Sequence, residues 1–263
     1  MFSRAFDCMG TVFTFQIAGE RDPGQVSKDV ETACSILVDA DNRFSLYKDK
    51  SEISLLSRGE LDWGASSAVQ KEIKNQAEDW KLITEGFFDP ISPEGIYDPS
   101  GLVKTWAACN AAMYLEANGY RDFTLNAGGD VYIGPEVKTF PLTRVGLSNL
   151  KPISSPEASV NMILDVEGTR YRGIATSGSS ERGDHIWPAP NSTTKSEYLQ
   201  VTVAATDLVI ADIWATAIVS GGQLAFELFE AKVDKQTAVA IATSAEGRVQ
   251  SSNGFASILA NLG

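Results

Sequence analysis

Four stretches in the first half of the chain show a regular pattern of apolar and polar residues. The two kinds alternate over residues 11–17, as in a strand with one buried face. Residues 24–41 and 66–85 repeat apolar side chains every three or four positions, which predicts two amphipathic helices. A third helix is predicted over residues 102–118, where Gly119 ends it.

The second half of the chain is richer in short strands. Residues 122–134 predict a strand, a Gly-Gly turn and a second strand. Residues 207–219 predict a helix capped by Thr206, and a Gly-Gly pair at 221–222 separates it from a second short helix. Further strands are predicted around Val145 and over residues 160–166, 171–176, 198–204 and 237–243. Because strands and helices come in mixed order, the pattern favours an α+β fold over a regular βαβ alternation.

Length and composition are ordinary for a globular protein. The chain has 263 residues, of which 43% are hydrophobic and 21% charged. We expect a single domain over residues 1–263, with a cleft between two closely packed subdomains. The net charge of −12 argues against nucleic acid as a partner, since phosphate contacts need clustered Lys and Arg. A phosphorylated ligand is compatible with this charge, because a divalent cation neutralises a diphosphate locally.

Neither membrane insertion nor secretion is expected. The sequence has no run of about eighteen apolar residues, and its start lacks the apolar stretch of a secretory signal. A cytoplasmic location is therefore expected. Cys8, Cys34 and Cys109 match no zinc or CxxC spacing and are interpreted as small buried hydrophobic residues. A nucleophilic Cys8 would have no base partner nearby in the sequence.

Asp212 and Thr216 lie four positions apart on a predicted helix, so they share one face. A carboxylate and a hydroxyl are hard oxygen ligands that suit magnesium. The spacing alone fits an ordinary polar stripe equally well. The helix is otherwise apolar, so Asp212 is expected to be partly buried and to need a partner, which a metal ion, an arginine or a backbone amide can supply.

Three smaller features have both a functional and a simpler interpretation. Residues 175–178 (Ala-Thr-Ser-Gly) can present N–H groups and hydroxyls to a phosphate, or can form a turn. Residues 126–130 (Asn-Ala-Gly-Gly-Asp) allow close approach of a ligand, or a hairpin turn. The lone histidine, His185, is a proton shuttle or an incidental surface residue. The chain has no Rossmann or P-loop signature, so a nucleotide would be held in another manner.

Seven sequence blocks occur in an order that is more specific than any one of them. They are Met9-Gly10-Thr11; Phe44-Ser45-Leu46-Tyr47 with Ser51-Glu52-Ile53-Ser54; Gly86-Phe87-Phe88-Asp89-Pro90; Asp98-Pro99-Ser100-Gly101-Leu102-Val103-Lys104; Asn126-Ala127-Gly128-Gly129-Asp130; Ala175-Thr176-Ser177-Gly178 with His185-Ile186; and Ala211-Asp212-Ile213-Trp214-Ala215-Thr216-Ala217. This string resembles the ApbE family, the FAD:protein FMN transferases. The resemblance implies mixed or antiparallel sheets with flanking helices, and an FAD-binding cleft between subdomains.

The resemblance also implies roles for individual residues. Asp212 and Thr216 match the magnesium side-chain ligands of the family, and Gly101 matches the position whose backbone carbonyl binds the metal. His185 matches the histidine near the diphosphate, so His185 and Asp212 are the predicted catalytic residues. The predicted FAD-binding residues are Met9, Tyr47, Phe88, Asp89, Pro90, Asp98, Lys104, Thr176, Ser177, Gly178 and His185.

The implied reaction is magnesium-dependent transfer of FMN from FAD to a Thr or Ser hydroxyl of an acceptor flavoprotein, with release of AMP. His185 would take the proton of the incoming hydroxyl or orient it. Two alternatives stay open: an FAD pyrophosphatase that makes FMN and AMP, and a non-catalytic FAD-binding or storage protein. In this family an Asn at the Tyr47 position is associated with hydrolysis, so Tyr47 favours transfer.

The chain departs from the family pattern in several places. The Thr that usually follows Asp-Pro in the family is Ile91 here. The Lys-Gly pair of the family is Lys104-Thr105 here. The Asp of the family's His-Ile-x-Asp-Pro block is missing after His185. The link from Asp89 to Asp98 is short, which suggests a compact branch.

Overall fold

The computed structural model describes residues 1–148, 160–178 and 197–260. The strands in these ranges are β1 (Phe2–Cys8), β2 (Thr11–Ile17), β3 (Phe123–Ala127), β4 (Asp130–Ile133), β5 (Arg144–Ser148), β6 (Val160–Asp165), β7 (Gly173–Gly178), β8 (Tyr198–Ala205), β9 (Ala238–Ser244) and β10 (Val249–Ser251). The helices are α1 (Pro23–Phe44), α2 (Glu52–Ser57), α3 (Ala68–Ile83), α4 (Ser100–Ala117) and α5 (Leu208–Lys232), with short 3₁₀ turns at Trp63–Ala65 and Phe255–Ile258.

Eight of these strands form one sheet, in the order β1-β2-β3-β4-β7-β8-β9-β10. Its neighbouring strands pair in antiparallel fashion. Strands β5 and β6 form a separate antiparallel hairpin. The predicted α+β class, with antiparallel sheets and flanking helices, is confirmed, and so are the helices predicted at the positions of α1, α3 and α4.

The two faces of the large sheet carry different hydrophobic cores. Side chains alternate between faces along a strand, so neighbouring residues enter different cores. Ala175 and Val203 pack on the side of α1, α4 and α5. Ile174 and Ala204 pack on the opposite side, where the β5–β6 hairpin and the 3₁₀ turn at Phe255–Ile258 cover the sheet. The helical side carries the residues of the candidate site.

Helix α5 has the length and composition of a membrane-spanning helix. Of its most apolar stretch, 67% is buried inside the protein, where α5 contacts β7, β8 and α4. A helix surrounded by core on most sides is apolar nearly all round, so this position accounts for its composition. That no segment enters a membrane stays a prediction.

The N-cap predicted for α5 is wrong. The backbone N–H of Thr206 donates to the carbonyl of Thr237, so Thr206 still continues the pairing between β8 and β9. Asp207 is the cap, and its carboxylate accepts the N–H groups of Val209 at 2.8 Å and Ile210 at 3.3 Å. An Asp carboxylate satisfies the orphan N–H groups of a first helical turn well.

The break predicted inside this helix is confirmed. Gly222 has a φ of 58° in the middle of α5, a left-handed conformation that glycine adopts without steric cost. The Glu197 carboxylate accepts the N–H of Gln223 at 2.9 Å and so caps the segment after the break. Helix α5 therefore consists of two helical segments.

The hydrophobic pattern predicts neither β1 nor α2. Strand β1 lies at the edge of the sheet, and its burial alternates between partial and none, so its apolar signal is weak. Helix α2 has six residues, which is too short for a helical period to become visible.

Candidate active site

A pocket of about 860 Å³ opens on the helical side of the sheet. Its volume lies in the range typical of small-molecule sites, about 300–1,000 Å³. The predicted site residues in its wall are Met9, Tyr47, Phe88, Asp89, Asp98, Gly101, Lys104, Thr176, Ser177, Gly178, Asp212 and Thr216. Pro90 does not line it, and its carbonyl instead accepts the N–H of Asp98 at 2.8 Å. His185 lies outside the described residues. The structure thus brings distant sequence blocks together, while the roles of these residues stay predictions.

Helix α5 presents a polar stripe to this pocket. Asp212, Thr216 and Ser220 recur every four residues and all line the pocket wall, because this spacing keeps side chains on one helix face. The Thr216 hydroxyl is 3.1 Å from the Ser177 hydroxyl at the end of β7, within hydrogen-bond distance. Helix and strand thus place a carboxylate and several hydroxyls on the same side of the pocket.

The Asp212 carboxylate is buried, with 4% of the residue exposed. The hydroxyl of Thr105 donates to its Oδ2 atom at 3.0 Å. The Lys104 Nζ atom lies 3.9 Å from the same oxygen. The expectation that Asp212 needs a partner is therefore met from α4, by a hydroxyl and an ammonium group.

Asp130, at the start of β4, is the second carboxylate partner of Lys104. Its Oδ2 atom forms an ion pair with the Lys104 ammonium group, and its Oδ1 atom accepts the backbone N–H of Thr176 at 3.0 Å. Asp130 is 1% exposed. Lys104 thus lies between the carboxylates of Asp130 and Asp212, which connects α4 with β4 and α5. Asp130 is not among the predicted FAD-binding, metal-binding or catalytic residues, although an acid directly after a Gly-Gly turn and inside an apolar strand is a usable signal.

Two tight hairpin turns contribute backbone to the pocket wall. Between β3 and β4, Gly128 and Gly129 have φ values of 65° and 107°, as two-residue hairpins require. The turn interpretation of residues 126–130 is therefore correct, and Gly128 also lines the pocket. Between β1 and β2, the pocket residues Met9 and Gly10 have φ values of 53° and 68°.

The turn interpretation of residues 175–178 is wrong. They are the last four residues of β7, paired in register with β8. The Thr176 hydroxyl lies 2.9 Å from the hydroxyl of its cross-strand partner Thr202. A strand end, rather than a flexible turn, therefore fixes Ser177 and Gly178 in the pocket wall.

The loop before α4 is held by its own aspartates. The Asp98 carboxylate accepts the N–H of Ser100 at 2.9 Å. The Asp89 carboxylate accepts the N–H of Ile91 at 2.9 Å and lies 2.7 Å from the Lys81 ammonium group. Both aspartates line the pocket, so these bonds fix the shape of its wall.

Gly101 allows the start of α4 to pack closely against this loop. A Cβ atom at Gly101 would lie 3.2 Å from the ring of Phe88, a buried residue of the pocket wall. Tyr47, another residue of the pocket wall, is by contrast 91% exposed. The wall thus contains one buried and one solvent-exposed aromatic ring.

The ApbE family matches this chain over residues 92–241, more than half of its length. The chain belongs to the ApbE family. The matched range includes Lys104, Asp130, Asp212 and Thr216, and the resemblance inferred from the seven blocks is confirmed.

Solved structures of ApbE proteins share the fold of the whole chain. The flavin transferase ApbE from Vibrio cholerae has a TM-score of 0.72 and 19% identity, covering 98% of this chain and 99% of that one. The ApbE protein from Thermotoga maritima has a TM-score of 0.79 and 16% identity, covering 98% of each chain. The flavinyl transferase ApbE from Pseudomonas stutzeri has a TM-score of 0.72 and 18% identity, covering 98% of this chain and 96% of that one. No curated protein matches significantly.

The donor atoms around Asp212 fit magnesium in this ApbE-family chain. The described residues contain no cluster of three His, Cys, Asp or Glu side chains, which a transition-metal site would favour. The pocket instead offers one buried carboxylate beside the hydroxyls of Thr216 and Ser177. Magnesium is commonly bound by one or two carboxylates together with water and substrate phosphates. The residues present therefore fit the metal that the family implies.

The three cysteines add no chemistry to the site. Burial raises the pKa of Cys8 above its usual value, and the nearby Asp41 carboxylate raises it further. Burial likewise raises the pKa of Cys34, and it raises that of Cys109 to about 12. All three thiols are free and stay protonated near neutral pH. Cys34 and Cys109 are buried, as interpreted from the sequence, whereas Cys8 is only half-buried.

Replacing Gly221 by alanine is expected to distort the pocket of this ApbE-family chain. A Cβ atom at Gly221 would lie 2.2 Å from the ring of Phe87, which lines the pocket. Overpacking of this kind costs about 1–3 kcal/mol, so Gly221→Ala should lower the free energy of unfolding by that amount. Urea denaturation measures it. Gly64→Ala is the control, because no atom lies within 4 Å of the added Cβ there. Equal stability of the two variants would contradict this packing.

Proposed function

We propose that this chain is a magnesium-dependent FAD:protein FMN transferase, which moves FMN from FAD to a Thr or Ser hydroxyl of an acceptor protein and releases AMP. The observation that carries the proposal is the buried Asp212 carboxylate, which lines a nucleotide-sized pocket together with the Thr216 and Ser177 hydroxyls in a member of the ApbE family. A cytoplasmic location, without membrane insertion, belongs to the same proposal.

The shape of the pocket supports a ligand with an aromatic part and a phosphorylated part. Phe88 and the exposed Tyr47 contribute aromatic surface to its lining. The hydroxyls of Ser177 and Thr216 and the backbone around Gly128 line the same pocket. Such groups suit phosphate oxygens, which accept hydrogen bonds from hydroxyl and N–H donors. FAD combines both parts in one molecule.

In the proposed reaction, the oxygen of the acceptor hydroxyl forms a bond to the phosphorus of the FMN half. The bond between that phosphorus and the bridging oxygen of the diphosphate breaks, AMP leaves with the bridging oxygen, and the hydroxyl proton passes to a base. His185 is the predicted base. A bound magnesium ion supplies neutralisation of the negative charge on the diphosphate.

In this proposal, several of the described residues would position the reacting groups. Asp212, Thr216 and the Gly101 backbone carbonyl would hold the ion. Lys104 supplies positive charge beside Asp212, which lets a carboxylate stay buried without excess negative charge. The Asp130 carboxylate keeps that ammonium group in place. Bond exchange at phosphorus depends mainly on such positioning and charge stabilisation.

Incubation of the purified chain with FAD and magnesium, with and without an acceptor, tests this proposal. The acceptor would be a panel of flavoprotein domains that carry a Thr or Ser flavinylation site. We expect AMP, measured by chromatography, only when an acceptor is present, together with acid-stable flavin fluorescence on that acceptor. AMP release without any acceptor would indicate FAD pyrophosphatase activity instead. Tight FAD binding without AMP in either case would indicate a binding or storage protein.

A further inference from the structure

Thr105 is a buried hydroxyl residue next to the pocket rather than in its wall. It lies in the second turn of α4, directly after Lys104, and is 0% exposed. Its hydroxyl lies 3.0 Å from Asp212 Oδ2 and 3.3 Å from the carbonyl oxygen of Leu102. The family pattern that the chain resembles has glycine at this position. The contact with Asp212 therefore comes from a side chain that the family pattern lacks.

The Thr105 hydroxyl donates its hydrogen mainly to Asp212 rather than to the carbonyl of Leu102. A threonine hydroxyl carries a single hydrogen, and both neighbouring oxygens are acceptors. A hydrogen bond to an ionised carboxylate is about twice as strong as one to a neutral carbonyl. The carboxylate oxygen is also the nearer of the two acceptors. The direction of donation is thus from α4 to α5.

Two neighbouring residues of α4 hold the same oxygen of Asp212. Thr105 donates to Oδ2, and the Lys104 ammonium group lies 3.9 Å from it. Lys104 is pulled toward Asp130, with which it forms the closer ion pair. The shorter and more directional contact with Asp212 is therefore the one from Thr105, and it restricts the rotation of the carboxylate about its Cβ–Cγ bond.

We propose that Thr105 is a positioning residue that orients the Asp212 carboxylate for cation binding. The inference rests on the function proposed above, because it takes Asp212 as a ligand of the ion. Carboxylates that bind metals are themselves hydrogen-bonded, and loss of such a partner typically weakens metal affinity by about 10–100-fold. Thr105 fills that role in this chain, where a glycine would leave Asp212 without the hydroxyl.

Thr105→Val removes the hydroxyl and keeps the shape of the side chain, so it tests the proposal directly. We expect the dissociation constant for Mn²⁺ alone, measured by electron paramagnetic resonance, to rise by about tenfold or more. The magnesium concentration that gives half-maximal AMP release should rise in parallel, while the KM for FAD at saturating magnesium stays unchanged. A merely structural role would leave the metal dissociation constant unaltered.

Thr105→Ser and Thr105→Ala form a second pair, which keeps the proposal testable should the valine variant fold poorly. Both lose the γ-methyl group, and they differ only in the hydroxyl. We expect the serine variant to bind Mn²⁺ more tightly than the alanine variant by about tenfold.

The failure of this inference can be distinguished from failure of the proposed function. Equal Mn²⁺ affinity in the wild type and in all three variants, with AMP release intact, overturns the role of Thr105 alone. Absence of Mn²⁺ binding by the wild type, together with metal-independent turnover of FAD, overturns the magnesium assignment and with it the role of Thr105.

Discussion

Asp212→Ala is expected to abolish the release of AMP from FAD, with a loss of at least about 100-fold. The residue is the one buried carboxylate of the polar stripe on α5, and it lines the pocket beside the hydroxyl of Thr216. Charge stabilisation by a bound metal is worth several kcal/mol in the transition state, and each 1.36 kcal/mol is tenfold in rate. Loss of the only carboxylate of the stripe should remove most of that stabilisation. Initial rates of AMP formation at saturating FAD and magnesium measure the effect.

The Asp212→Ala variant is expected to fold, which makes the rate comparison meaningful. Lys104 keeps its ion pair with Asp130 when Asp212 is removed, so the partly buried ammonium group retains a carboxylate partner. Circular dichroism and thermal denaturation check the fold. Asp79→Ala, an exposed change on α3, is the control that should leave the rate unaltered. Undiminished AMP release by folded Asp212→Ala would contradict the metal site.

The parts of the fold that the sequence predicts are those whose signals are local. The period of apolar residues places α1, α3 and α4, and the Gly-Gly pair before Gln223 marks the break in α5. The start of α5 depends on tertiary structure, which the local sequence does not report. The backbone of Thr206 is hydrogen-bonded within the β-sheet, so Asp207 is the N-cap instead. The edge strand β1 lacks a fully buried face, so its apolar alternation carries little signal.

The candidate site, like the fold, is predicted from the sequence only where the signals are local. The spacing of Asp212 and Thr216 places them on one helix face, but it does not distinguish a metal ligand from a polar stripe. The resemblance carried by the ordered blocks favours the metal ligand, and that role stays a prediction. The partners of Asp212 and Lys104 come from other elements of the fold. Thr105 and Asp212, for example, are 107 residues apart in the sequence. Neither periodicity nor propensity reports on pairings of that range. The hydrogen bond between Thr105 and Asp212 and the ion pair between Asp130 and Lys104 therefore become visible only in the folded chain.

Asp130→Ala is expected to lower the free energy of unfolding by about 3 kcal/mol, since breaking a buried ion pair by removing one partner costs roughly 3–5 kcal/mol. Asp130 is 1% exposed and forms an ion pair with Lys104, whose side chain is 19% exposed. The substitution leaves the ammonium group with its more distant carboxylate, 3.9 Å away on Asp212. It also removes the acceptor of the Thr176 N–H, and an unsatisfied backbone donor adds to the loss.

Urea denaturation of the variant measures this loss. Glu60→Ala is the matched control, because its ion pair with Arg58 is exposed on both sides and pairs of that kind contribute little to stability. Lys104→Met in combination with Asp130→Ala completes a double-mutant cycle, from which we expect a favourable coupling energy of about 1–3 kcal/mol. A loss for Asp130→Ala no larger than that for Glu60→Ala, or a coupling near zero, would show that the pair does not stabilise the site. A large coupling would instead mean that the Asp130 carboxylate fixes Lys104 beside Asp212, since one ammonium group connects the two carboxylates.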